Sequence, residues 1–401
     1  MPIPGSNPIG GVKQGAAYEG LLYMVLDADL AKIAGLDGLS FRVNAYQIHG
    51  RQLSASNIFD LAIVDSIEAR PATRLFELWV EQKFGDLALL RVGQLAADNQ
   101  FFISEFGNTL YINSTFGWPT IFEEDLPSTG PNYPLATPGV RLKVTPNDRL
   151  ALLAGLYDGD PAGAGFTGTE QIKDPAGLNF RLRDPPLLMA EAQYKYNQDK
   201  TAGGLAGTIK LGGWYHFGKF DDEFFDVDGK SLADPSSSGV ARTHSGNYGI
   251  YGVIDQMLWR RPGDDPKKGV GAFARATFSP SDRNLIDLYA EAGVNFMGLW
   301  DKRPDDNFGS RNPFRSSLPV SGNSISKKLS LKKPLCHCAT TNWWSNSPIR
   351  RRSLPAGPFN QIFNTSSIPA AALSIPLILL SGGSPTPPFL HCARRSVFRA
   401  G

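Results

Sequence analysis

Residues 187–197 read Leu-Leu-Met-Ala-Glu-Ala-Gln-Tyr-Lys-Tyr-Asn. Leu188, Ala190, Ala192, Tyr194 and Tyr196 fall on one face, and Glu191, Gln193 and Lys195 on the other. Alternation of period two over this length predicts a strand with one apolar and one polar face. Residues 285–297 repeat the pattern. Ile286, Leu288, Ala290, Ala292, Val294 and Phe296 stand against Asp287, Tyr289, Glu291 and Asn295. A membrane-spanning strand needs about 9–11 residues. An apolar face opposite a charged one suits an antiparallel transmembrane β-barrel with lipid outside and water inside.

Nine more segments fit this reading, near 17–27, 39–49, 72–84, 87–97, 138–145, 148–157, 205–217, 245–258 and 269–278, making eleven in all. Short connections near 28–38, at Gly85-Asp86, at Pro146-Asn147 and near 198–204 alternate with long ones near 50–71, 98–135, 158–185 and 217–244. Short turns at one rim and long loops at the other is the layout of bacterial outer-membrane barrels. The rhythm blurs after residue 259. No apolar run reaches the roughly 18 residues of a membrane helix.

Faces follow strand by strand. Phe76, Leu78, Val80 and Phe84 point outward, with Glu77, Trp79, Glu81 and Lys83 inward. Leu142 and Val144 oppose Arg141 and Lys143. Ile209, Leu211, Tyr215 and Phe217 oppose Thr208, Lys210, Trp214 and His216. Val270, Ala272, Ala274 and Phe278 oppose Arg275 and Thr277. Segment 245–258 is ambiguous, because Asp255 and Gln256 are adjacent. The segment 98–135 carries Phe101, Phe102, Phe106, Tyr111, Phe116, Trp118, Phe122 and Tyr133. That is too aromatic for a solvated loop, so it is expected to pack into the barrel mouth. Trp118 is a candidate sugar platform, with loop packing the plainer role.

The lumen so read carries both signs of charge. Pores that select ions by charge use one sign. A mixed wall with Trp79 and Trp214 suits a neutral polyol, since charged groups hydrogen-bond hydroxyls and indole faces stack on sugar C–H groups. The expected pore-lining or substrate-contacting residues are Arg42, Asn44, Glu77, Trp79, Glu81, Arg91, Lys143, Glu191, Lys195, Lys210, Trp214 and Glu291. A generic solvated lumen held by cross-strand ion pairs is the plainer alternative for each. Asp221, Asp222, Glu223, Asp226 and Asp228 read as a solvated loop rather than a Ca²⁺ site, lacking EF-hand spacing. Cys336-His337-Cys338 has no matching second half, so no metal is expected. There is no Gly-x-Ser-x-Gly, His-Glu-x-x-His or Walker A motif. His216 is expected to hydrogen-bond in the lumen rather than act as a base.

The charge is discontinuous. Residues 307–401 hold twelve of the 40 Lys and Arg and none of the 38 acids, leaving 28 bases, 38 acids and a net −10 in residues 1–306. All three cysteines also lie in that tail. It reads as a basic, acid-free segment, frameshifted or disordered, outside the fold. Residues 1–16 read as a truncated N-terminal segment without a signal peptide, and 17–306 as a partial barrel.

Several ordered stretches are similar to the carbohydrate-selective porin family (OprB-like) of Gram-negative outer membranes. They are Asn44-Ala45-Tyr46-Gln47-Ile48-His49-Gly50, Arg74-Leu75-Phe76-Glu77-Leu78-Trp79 and Arg91-Val92-Gly93-Gln94-Leu95-Ala96-Ala97-Asp98. Later come Pro138-Gly139-Val140-Arg141, Gly249-Ile250-Tyr251-Gly252-Val253-Ile254-Asp255-Gln256 and Arg303-Pro304-Asp305-Asp306. The resemblance covers about residues 10–308. It implies a barrel of about sixteen strands, located in the outer membrane, that admits mono- or small oligosaccharides by passive diffusion. It implies no cofactor and no nucleic-acid partner, contact with outer-membrane lipid and lipopolysaccharide, and the homotrimer common among porins. It also implies a constriction of arginines, acids and aromatics, for which Arg42, Glu77, Trp79 and Arg91 are the candidates. By the same comparison about five strands are missing, and an open sheet leaves unpaired edges that lipid does not tolerate. The expectation is a truncated, non-functional version that neither inserts nor conducts. The competing readings are a non-selective porin and an outer-membrane barrel enzyme such as a lipid hydrolase.

Overall fold

The computed structural model describes residues 2–8, 10–60, 63–108, 117–164, 170–198, 203–262, 268–300, 306–317 and 340–342. The strands are β1 Pro2–Asn7, β2 Gly15–Asp29, β3 Leu39–Gly50, β4 Ala72–Phe84, β5 Ala88–Leu95, β6 Thr137–Asn147 and β7 Leu150–Asp158. They continue as β8 Pro186–Tyr196, β9 Gly207–Asp226, β10 Ala241–Arg260, β11 Gly269–Phe278, β12 Ile286–Met297, β13 Asn307–Ser317 and β14 Thr340–Asn342. Two short helices, α1 Leu30–Ala34 and α2 Thr120–Asp125, lie in connections. No described helix is long and apolar enough to cross a membrane.

All fourteen strands form one sheet in sequence order, each antiparallel to the next. The sheet is not closed among the described residues, and β1 and β14 are its ends. The alternation sorts as expected. On β8, Leu188, Ala190, Ala192 and Tyr194 are exposed, whereas Leu187, Met189 and Glu191 are buried. Leu211 and Ile250 are each 66% exposed on the outer face, and Trp214 and Tyr251 on the inner face are each 4% exposed. An apolar outer surface of this extent belongs against lipid. The short connection 279–285 lies at the same rim as the long loops, which resolves the rhythm after residue 259.

Four sequence expectations are corrected. Phe76 does not face outward. The β3–β4 register slips between Val43 and Ala45, so that Val43 opposes Leu78 and Ala45 opposes Leu75. The extra residue is a β-bulge, and it turns Phe76 onto Tyr46 and Tyr133, with ring centroids 5.0 and 6.1 Å away. A second slip between Ile286 and Leu288 leaves Ile286 buried at 1% exposure. Half of the loop expected at 217–244 is strand, because β9 and β10 each run for 20 residues. Its sequence, Lys219-Phe220-Asp221-Asp222-Glu223-Phe224-Phe225-Asp226, carries no apolar–polar alternation. Finally, the count of eleven omitted β1, β13 and β14. Strand β13 pairs along β12 from Ile286↔Ser317 to Met297↔Asn307. The sheet therefore continues through the composition boundary at residue 306, since backbone pairing does not require acids or an apolar stripe. Cys336, Cys338 and Cys392, like Tyr111 and Phe116, lie outside the described residues.

Where β5 bends away at Leu95, the upper end of β4 loses a partner and the loop after β7 replaces it. Leu75 N donates to Ala176 O at 2.9 Å, Arg74 Nη2 donates to Asp174 O, and Gln94 Nε2 donates to Gly177 O at 3.0 Å. Gly177 sits at φ +67°, and a Cβ there would lie 1.9 Å from Leu75 O. Gly177→Ala should destabilise this docking by about 2–3 kcal/mol. Trypsin cleavage after Lys173 or Arg181 is then expected to accelerate at least about tenfold relative to the parent chain, since 1.4 kcal/mol is a factor of ten.

Candidate functional site

The interior is filled by the connection between β5 and β6. Phe101, Phe102, Trp118, Ile121, Phe122 and Leu126 from that connection are buried with Trp79, Leu153, Tyr157, Leu187, Met189, Trp214, Tyr251 and Tyr289 of the wall. Trp118 stacks on Phe122 at 4.5 Å, and Phe122 sits edge-on to Trp214 at 6.1 Å. Each fully buried aromatic contributes on the order of 2–3 kcal/mol. The described parts of segment 98–135, residues 98–108 and 117–135, thus pack inside the mouth, and Trp118 and Trp214 belong to the core they form.

Polar groups of the β8–β12 wall hold this loop by its backbone. Glu191 Oε2 accepts from Phe102 N at 2.8 Å, and Arg275 Nη1 donates to Phe102 O at 2.8 Å. Phe102 lies at φ +59°, a conformation that costs a non-glycine residue about 1–3 kcal/mol. Arg275 is paired to Glu291 with both side chains fully enclosed, and Tyr289 donates to Glu291 Oε2 at 2.6 Å. Lys210 Nζ donates to Ile103 O at 2.8 Å. Asp255, whose face was ambiguous in the sequence, points inward. It accepts from Ser104 Oγ at 2.5 Å, Glu105 N at 3.1 Å and Phe106 N at 3.2 Å. Asn295 Nδ2 donates to Phe106 O at 2.5 Å. Ser104, Asp255 and Asn295 were not among the expected site residues. Only their place on an inward face, or in the aromatic segment, could have marked them.

The opposite wall, β3 to β6, carries a different arrangement. Arg42 opposes Trp79, Trp79 opposes Gly93, and Gly93 opposes Gly139. Gly93 lies at φ +149°, and a Cβ there would be 2.6 Å from Trp79 Cα. The space allows Arg91, one step along the strand, to lay its guanidinium over the indole, 3.8 Å from the ring centroid, while Arg42 lies 5.5 Å away. In the next row Glu81 opposes Arg91, and Arg91 opposes Arg141. Glu81 Oε2 accepts from Arg91 at 3.0 Å and from Arg141 Nη2 at 2.9 Å. Arg42 grips Asp27 in bidentate fashion at 2.5 and 2.6 Å. Asn44 and Glu77 serve the wall itself. Asn44 Nδ2 donates to Glu77 Oε2 at 3.1 Å, and Ala96 N donates to Glu77 Oε1 at 3.3 Å. Lys143 and Lys195 are half-buried near the short-turn rim, with no ion pair among the described residues. His216 is buried, its Nε2 3.1 Å from Gly159 O and its Nδ1 accepting from Gly218 N at 3.0 Å, so both ring nitrogens are used by backbone. No described group of acids, His or Cys could hold a metal ion.

Breaking a buried pair leaves an uncompensated charge and costs about 3–5 kcal/mol, whereas replacing both partners is far milder. Arg275→Gln alone should therefore lower stability in a urea titration by about that amount, and adding Glu291→Gln should restore most of it.

At the long-loop rim, Glu68 accepts from Ser54 N at 3.0 Å and Ser54 Oγ at 2.8 Å, Tyr133 Oη donates to Ile67 O at 2.9 Å, and Asp98 accepts from Tyr133 N at 3.0 Å. Burial pushes Asp65 up to about 6, and Glu68 and Asp98 up to about 7. The folded loops hold protons that the unfolded chain, with carboxyl values near 4, has released. The stability of this cluster should fall as pH rises from about 4 to about 7. Exchange of the Ser54 and Tyr133 amides, corrected for its intrinsic pH dependence, is expected to accelerate over that window.

The model of the OprB family of carbohydrate-selective porins matches residues 13–310. Porin B of Pseudomonas aeruginosa is 27% identical over 295 residues, which is 70% of this chain and 60% of that protein. The chain thus spans about 60% of the length of that curated relative. The high-pH structure of Pseudomonas putida OprB superposes with a TM-score of 0.66 at 22% identity, over 78% of this chain and 73% of that one. That likeness concerns the fold, and the family model covers most of the sequence: the chain belongs to the OprB family of carbohydrate-selective porins.

Proposed function

We propose that this chain forms the wall and constriction of an outer-membrane porin along which small neutral sugars pass by diffusion, without chemistry and without a cofactor. The observation that carries the reading is the face on β3–β6, where the Trp79 indole lies beside Arg42 and beneath Arg91, and Glu81 is shared by Arg91 and Arg141. Trp79 is itself buried and holds the Arg91 guanidinium flat on its ring, so that the guanidinium and carboxylate groups it positions take sugar hydroxyls. The loop packed against β8–β12 narrows the space facing this patch. The apolar outer belt supports a seat for the strands in lipid, with the long loops on the outer side as in outer-membrane barrels generally. Membership of a porin family favours a channel over an enzyme.

Conduction needs a closed sheet, so binding to the wall is the direct readout. Glucose added to the full chain in detergent micelles should change the tryptophan fluorescence saturably. Trp79→Ala should weaken that binding by about three- to tenfold, the effect of about 0.7–1.4 kcal/mol. A linear, non-saturating response to glucose would count against the reading.

A further inference from the structure

Two guanidiniums, Arg91 and Arg141, are directly opposed on neighbouring strands. Like charges so placed repel, and the single carboxylate of Glu81 serves both. Arg141 is 3% exposed, and its Nε and Nη1 atoms are buried without a hydrogen-bond partner, as is the hydroxyl of Tyr157. Tyr157 lies against the same stretch of wall, because a Cβ on Gly155, the residue opposing Arg141, would be 2.9 Å from its hydroxyl. Lys143 follows two residues later on the same face and interacts electrostatically with Arg141, Lys195 and Lys210 as well as with Glu81. Of these, Lys210 is committed to Ile103 O. Glu191, the next acid along the wall, is committed to Phe102 N and to Gln193. The β5–β8 wall therefore holds more positive charge than its own carboxylates neutralise. Lys143 and Lys195 are partly exposed toward the short-turn rim, and Glu81 is mostly buried.

We infer that this stretch of wall is an anion subsite, formed by Arg141, Lys143 and Lys195, for the carboxylate of a sugar acid that passes one row below the buried Trp79. The inference rests on the porin reading and adds to it a second substrate class. A carboxylate answers the buried guanidinium donors with charge-assisted hydrogen bonds, which exceed neutral ones in strength. A free small anion offers charge alone, whereas a sugar acid also brings hydroxyls to the partly buried ammonium groups of Lys143 and Lys195.

The test compares three probes on the full chain in detergent micelles by calorimetric titration: gluconate, glucose and acetate. Gluconate is expected to bind at least about tenfold more tightly than either of the others, and its advantage should shrink as salt is raised. Lys143→Gln, at a half-exposed position, should cut the ratio of gluconate to glucose affinity by about three- to tenfold, and Arg141→Gln should do so more strongly. Acetate binding as tightly as gluconate would overturn the inference in favour of a simple small-anion site. Glucose binding as tightly as gluconate would overturn it while leaving the porin reading intact. Failure of both sugars to bind would remove both readings together.

Discussion

One peptide unit, that of Phe102, is where the interior is fastened. Its N–H is taken by Glu191 on β8 and its carbonyl by Arg275 on β11, and Arg275 is itself paired with Glu291 on β12. Three strands thus meet on two backbone atoms of a residue held in the left-handed region. The clamp accounts for that strained backbone, since such a conformation persists only where its surroundings over-determine it. Fixed there, Phe102 can place its ring edge-on to Tyr251 and Phe122. The remaining aromatic packing of the loop follows from this point.

The clamp divides the lumen charges into two kinds. Glu191, Lys210, Asp255 and Arg275 act on the loop backbone, with Glu291 paired to Arg275. Arg42, Glu81, Arg91, Arg141 and Lys143 face them from the other wall and engage one another, Asp27, an indole or solvent, as Lys195 does near the lower end of β8. In sequence these residues look alike: charged, on an inward face, spaced by two. What separates them is which neighbouring strand the loop touches, and that is a property of the closed-over tertiary arrangement rather than of any local pattern. Glu77 and Asn44 belong to a third class, since they complete the β-bulge that turns Phe76 inward.

The fold was legible where one face meets an apolar medium, because period-two alternation is then enforced by burial. That is why β8, β11 and β12 read correctly almost residue by residue. Legibility failed where the constraint lapsed. The far end of β9 sets acids on both faces and Phe224 beside Phe225, and β13 carries no apolar stripe of its own. Bulges at Phe76 and Ile286 shift the phase by a single residue, which reverses a face without altering composition. Asp255 beside Gln256 was undecidable locally. The structure assigns them by their partners, Asp255 to the loop and Gln256 to the hydroxyl of Tyr196 at 2.5 Å on the outer side. The aromatic richness of 98–135 was the one tertiary feature the sequence announced, because solvated loops do not carry that much apolar surface.

A barrel that fills its own mouth must desolvate the charges it covers, and each covered charge then needs a partner. On the β8–β12 side Glu191, Lys210, Asp255, Arg275 and Glu291 meet that demand through loop backbone and the Arg275–Glu291 pair. On the β5–β6 side it is met only in part, because two arginines share one carboxylate and Arg141 keeps two buried donors unbonded. A protein under selection for stability alone would resolve that imbalance with one more acid or one fewer base. Retaining it beside a solvent-facing pair of lysines makes sense if the missing partner arrives with what the wall binds. The imbalance is then the feature that distinguishes a binding wall from a supporting one.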